Sequence, residues 1–337
     1  MNKQRIEFID LAKGICISLV VLLHVYGDLS GTFIKVMNLF RMPLYFVLSG
    51  LFFKTYDGLF PFLKKKINKL LIPFLCTFLC VILPTTVLLS RKAGLELSVL
   101  DVFWGVDGKL NLGINGASWF LLCLFFVNAY FYLIFLLSRQ RIAVICVLSC
   151  LCGVVGYVLS LRAVWLPMWM DSALTAVPFF LMGYVLRNYS SLLSGLMMRR
   201  DYMAGVCSLV LLGGVYLYDE WGGAENISYG DNEFDISIVS LYLGGFAGTY
   251  FVLMVSKWLR YVPVVTYIGR YSIVVLLTHL LYLFAFRNVL YQLGIEQGDS
   301  VLLNGVVFVV IMLLDIPTIW FCVRYLPYCF AQKDLWK

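Results

Sequence analysis

The chain has 337 residues, of which 62% are hydrophobic and 13% charged, and its mean hydropathy is +0.90. A soluble globular domain is about half apolar and a quarter charged, so this composition excludes one and points to a polytopic membrane protein. The formal charge of +7 would suit nucleic acid, but the Lys and Arg sit at the ends of apolar stretches, which makes the lipid bilayer the partner and excludes a nucleic-acid role.

Ten apolar spans can be drawn, approximately 8–27, 34–53, 67–90, 117–137, 142–160, 172–188, 202–218, 236–256, 267–287 and 301–323. The expected fold is all-α, a single membrane-embedded domain over 1–337. No long linker, low-complexity tract or convincing repeat breaks it. The basic start and first apolar run mimic a signal peptide, but no small-x-small cleavage site follows, so the run reads as an uncleaved first span. Counting Lys and Arg in the loops puts both termini in the cytoplasm. That side takes Lys3, Arg5, Lys13, Lys54, Lys64, Lys65, Lys66 and Lys69, among others. The outer side holds only Arg91, Lys92, Lys109, Arg162 and Arg287, together with the acidic loop 218–235.

The first span, EFIDLAKGICISLVVLLHVYG (7–27), carries Asp10, Lys13 and His24 in otherwise lipid-grade sequence. Eleven residues separate Lys13 from His24. On a helix they point within about 20° of each other and lie about 16 Å apart, with Asp10 one turn below Lys13. A lengthwise polar stripe of this kind needs partners or water, because lone polar groups in hydrocarbon cost several kcal/mol. The second span contains Arg41, charged at any relevant pH, followed by Pro43, which removes a backbone hydrogen bond and favours a kink. Arg41 serves either a site or an internal pairing with Asp10 or Asp171. The third span opens with FLKKKINKLLIPF (62–74). Its lysines satisfy the positive-inside rule and equally form an anion cradle, with Lys66 and Lys69 on one helix face. The longest connection, from Arg91 to Gly116, is expected outside, where it would cover an outward-facing site.

The ten cysteines lie in or beside spans with no CxxC spacing, so neither a disulfide framework nor a metal site is expected. The two histidines, His24 and His279, both fall in spans and at similar depth in the outer leaflet. Each serves either as a hydrogen-bonded packing residue or as a functional group.

Six blocks occur in the order DLAKGICISLVVLLH, FRMPLYFVLSGLFF, KKKINKLLIPF, ASWFLLCLFF, VPFFLMGYVLRN and YIGRYSIVVLLTHLLY. Together, from about residue 5 to 325, they resemble the acyltransferase-3 family of integral membrane acyltransferases. The resemblance implies a ten-helix enzyme of the bacterial inner membrane. Such an enzyme moves an acyl group, commonly acetyl, from cytoplasmic acyl-CoA to a sugar hydroxyl of an envelope or exported glycan. The family's basic-x10-His motif falls on Lys13 and His24. Its usual arginine is here a lysine, as in the branch resembling fucose 4-O-acetylases. The basic-x-x-basic motif falls on Lys66 and Lys69. Lysine keeps the charge but not the bidentate fork of arginine.

The expected mechanism follows the stripe. Lys13, Lys66 and Lys69 anchor the donor phosphates, and Asp10 orients Lys13. The pantetheine arm runs toward His24, which is general base or transient acyl carrier. Arg41 stabilises the oxyanion. His279, Ser118 and Trp119 belong to the acceptor side, although Trp119 equally reads as an interfacial belt residue. Acetyl-CoA is a co-substrate and no metal is expected. Oligomeric state cannot be read. The rival class is an exporter or flippase of a sugar or lipid-linked glycan. It would more often show repeat symmetry and would not be stabilised by acetyl-CoA.

Overall fold

The computed structural model describes residues 6–27, 31–92, 115–189, 198–224, 226–295 and 300–336. Lys3, Arg5 and most of the long connection expected to cover the site lie outside the described residues. The helices are α1 (Glu7–Tyr26), α2 (Thr32–Gly50), α3 (59–92), α4 (Trp119–Leu137), α5 (Ile142–Leu161), α6 (Met170–Tyr189), α7 (Arg199–Trp221), α8 (Ile238–Leu259), α9 (Pro263–Arg270), α10 (Ser272–Gln292) and α11 (Val301–Tyr325). The chain is an all-α polytopic membrane protein. Among the described residues, nine helices are long and apolar enough to cross a bilayer.

The second expected span is a 19-residue helix but is not one of those nine. Lys35, Asn38 and Arg41 lower its apolarity. Protein surrounds it instead: α1, α6 and α8 all pack on α2, so its polar residues face side chains rather than lipid. The helix also continues through Pro43. Proline cannot donate to the carbonyl four residues back, and the Tyr229 hydroxyl donates to that Leu39 oxygen instead, at 3.4 Å.

The third span starts earlier than expected, at Leu59, and contains two wide π turns at Ile67–Leu71 and Phe78–Ile82. Each lies just before a proline, Pro73 or Pro84. The carbonyls that the proline rings would strike, those of Lys69 and Cys80, fall inside the widened turns. The ninth span is also corrected. Tyr267 to Arg270 belong to the separate short helix α9, the chain turns at Tyr271, and α10 begins at Ser272. His279 is therefore about 10 Å along its helix rather than 18 Å.

Helix α9 lies against the start of α1, where glycines allow backbone contact. A Cβ on Gly14 would stand 2.0 Å from the Val265 oxygen, and one on Gly269 would stand 1.9 Å from the Asp10 oxygen. Side-chain-free contact of this kind is how helices approach closely in lipid. At the far end, part of the acidic loop forms a small antiparallel hairpin pairing Ile227 with Phe234 and Ser228 with Glu233. One side of its turn is buried through Tyr229 and Asn232, while Asp231 is exposed. Asn232, 1% exposed, donates to the Gly156 oxygen and accepts from the Thr175 hydroxyl. Helices α7 and α8 run between this hairpin end and the opposite, basic end, where the Lys64, Lys65 and Lys66 cluster sits.

Candidate active site

At the basic end, α1, α2, α3, α4 and the α9–α10 junction enclose a cavity of about 540 Å³. Lys13, Lys66 and Lys69, far apart in sequence, all line it, together with Lys65 and Arg270. The helix order explains the convergence. The close approach at Gly14 and Gly269 brings the end of α9 beside Lys13, and α3 supplies three lysines from consecutive turns. Asp10, 4% exposed, lies 3.8 Å from the Lys13 Nζ and 3.7 Å from the Arg270 Nε. One carboxylate thus holds two cations at the cavity wall. The Lys13 ammonium also lies 5.1 Å from the Phe52 ring centre, and the Lys66 ammonium 5.6 Å from that of Phe62. No ion pair holds Lys66 among the described residues. The remaining wall is largely apolar, with Tyr45, Leu48, Phe120 and Leu276 among its residues. A largely apolar lining that also carries several cations suits a molecule with both apolar and negatively charged parts.

The two histidines meet. His24 on α1 and His279 on α10 lie with ring centres 5.3 Å apart and planes tilted by 38°. His279 is 1% exposed. Its Nδ1 lies 2.7 Å from the Val275 carbonyl oxygen. A carbonyl can only accept, so Nδ1 carries the proton and Nε2 holds a lone pair. That Nε2 is buried and makes no hydrogen bond among the described residues. His24 is half-buried, and Arg287 donates to its backbone oxygen at 3.2 Å, closing the end of α1. Neither imidazole lines the 540 Å³ cavity.

Arg41 occupies α2 facing α1. The Cys16 thiol donates to its backbone oxygen at 3.0 Å. Its Nε and Nη1 are buried and make no hydrogen bond, and no ion pair joins it to Asp10 or Asp171 among the described residues. Among the described residues, Asp10 instead pairs with Lys13 and Arg270. Ser118 is fully buried, and its hydroxyl donates to the Asn115 oxygen at 2.8 Å. Asn115 in turn donates to the Leu277 oxygen, two residues before His279. Trp119 packs beside Trp169 and under Gly230 of the hairpin.

Arg270, Lys65 and Tyr45 were not singled out from sequence. Arg270 reads as one more loop cation until α9 is placed, and Tyr45 reads as span filler. The model of the acyltransferase domain family matches residues 6–323. The chain belongs to this family. No curated protein and no solved structure matches the acyltransferase.

Proposed function

We propose that this membrane acyltransferase moves an acetyl group from cytoplasmic acetyl-CoA to a sugar hydroxyl of an envelope or exported glycan, with its basic end in the cytoplasm. The observation that carries this reading is the convergence of Lys13, Lys66, Lys69 and Arg270 on one cavity whose other walls are apolar. Nucleotide phosphates would sit against the cations. The pantetheine arm would extend along α1 toward His24. The acceptor hydroxyl would enter from the hairpin end.

In the transfer step, the acceptor oxygen attacks the thioester carbonyl while an imidazole takes its proton. The carbonyl carbon–oxygen bond forms, the carbon–sulfur bond breaks, and CoA leaves as thiolate and gains a proton. His24 is the base or transient carrier. The His279 Nε2 lone pair is oriented by the Nδ1 bond to Val275, and it accepts either from the acceptor hydroxyl or from the His24 N–H. Arg41, with two guanidinium nitrogens free of hydrogen bonds, is available to the oxyanion in a low-dielectric setting. Thermal unfolding of the purified protein tests the donor. At a hundred times its Kd, acetyl-CoA should add about 2.7 kcal/mol of stability. No stabilisation, together with surface glycans whose acetyl content is the same in cells lacking the protein, would overturn the reading.

A further inference from the structure

The cationic mouth already holds an anion from the chain itself. After α11 the backbone turns back across α3, and Asp334 places its carboxylate between two lining lysines. Oδ2 is 2.6 Å from the Lys65 Nζ and Oδ1 is 3.2 Å from the Lys69 Nζ. Lys69 donates as well to the Ala331 carbonyl. The segment is anchored beside this contact. Asn68, 1% exposed, accepts from the Trp336 N–H and donates to the Trp336 oxygen, both at 2.8 Å. The Trp336 ring lies 5.4 Å from the Lys64 ammonium and edge-on to Phe60. Lys13, Lys66 and Arg270 line the same cavity and are not bonded to Asp334.

A carboxylate bridging two ammonium groups uses the donors that a phosphate would use. A phosphate brought to Lys65 and Lys69 would meet a like charge at contact distance. Repulsion between the two anions makes their holding the pair together unfavourable. Resting on the donor reading above, we propose that the segment 327–336 is a strap whose Asp334 occupies the place of a donor phosphate, and that it must lift off Lys65 and Lys69 before acyl-CoA binds. The Asn68–Trp336 bonds keep the lifted strap tethered. Because coupling is reciprocal, the strap lowers donor affinity by the same factor by which the donor weakens the strap.

Wild type, Asp334→Asn and Asp334→Glu in nanodiscs, each titrated with acetyl-CoA and with phosphate-free acetyl-pantetheine, test this. Half-exposed ion pairs are individually weak, so Asp334→Asn should tighten acetyl-CoA about three- to tenfold. It should leave acetyl-pantetheine unchanged, and Asp334→Glu should resemble wild type. In wild type, acetyl-CoA should also speed amide exchange over 331–335. Unchanged or weaker acetyl-CoA binding by Asp334→Asn would overturn the strap and leave the donor reading standing. Equal tightening of both ligands would overturn the phosphate place. Acetyl-CoA binding to neither wild type nor variant would overturn both.

Discussion

His24, His279 and Lys13 carry chemistry that the bilayer makes costly to keep idle. An imidazole half-buried beside a second imidazole with a fixed tautomer suits proton transfer. His24→Ala should lower the transfer rate by about 10²–10⁴-fold, the usual contribution of a positioned base. Insertion should be normal, checked by the elution profile and Tm of the purified variant. Lys13 shares Asp10 with Arg270, so its substitution does not strand that carboxylate. Lys13→Gln should weaken acetyl-CoA binding about tenfold, the loss of one charge-assisted contact, and Lys13→Arg should bind as wild type. Equal affinities in a direct titration would show that Lys13 serves topology alone. Asp334 has a pH signature. Its hydrogen bond from Lys65, together with the nearby Lys69 ammonium and against the opposing effect of burial, holds its carboxyl below the ordinary carboxylate range. The ionised contact is thus complete above that range and is lost as pH falls through the depressed value. The affinity ratio of Asp334→Asn to wild type should be the same at pH 7.5 and pH 5.

Among the helices, α9 is the element that builds the site, and two glycines decide its position. Gly269→Ala would put a carbon on the Asp10 carbonyl, so α9 must move away from α1. That displaces Arg270 from Asp10. The variant should show both a lower Tm and weaker acetyl-CoA binding. The opposite outcome is expected on α7, where a Cβ on Gly214 meets nothing within 4 Å. Gly214→Ala should raise stability by about 0.5–1 kcal/mol through helix propensity alone, with donor affinity unchanged. Thermal unfolding in the same detergent separates the two. The π turns of α3 add a second element-scale effect. They aim Lys65, Lys66 and Lys69 into one cavity from a helix that two prolines would otherwise kink.

At the scale of the whole molecule, charge separates along the helix axes. The lysine cavity and the strap occupy one end, and the hairpin with Trp119 occupies the other. If the basic end is cytoplasmic, as we propose from the Lys and Arg bias, chain direction sets which positions face outward. In a chain whose native cysteines are replaced, Gly222→Cys at the hairpin end should react with an impermeant maleimide on intact cells. Gln332→Cys in the strap should react only after permeabilisation. The reverse pattern would put the donor cavity on the wrong side for cytoplasmic acyl-CoA.

Span positions were legible because lipid demands about 20 apolar residues per helix whatever the neighbours are. The stripe from Asp10 to His24 was legible because helical spacing is local. The block order was enough to suggest the acyltransferase family. Other features depended on contacts between distant segments. The break at Tyr271 was hidden because Tyr267, Ile268 and Gly269 read as the start of a span, with Arg270 at its flank. Only the packing of Gly269 on Asp10 shows it as a separate helix, and with it Arg270. The meeting of His24 with His279 needed the relative rotation of α1 and α10, which no single-helix pattern contains. The occupation of Lys65 and Lys69 by Asp334 joins residues more than 260 positions apart. Hydropathy determines which segments enter the membrane. Side-chain packing between helices decides which of their few charged groups meet, because in lipid those groups are stable only where another polar group receives them.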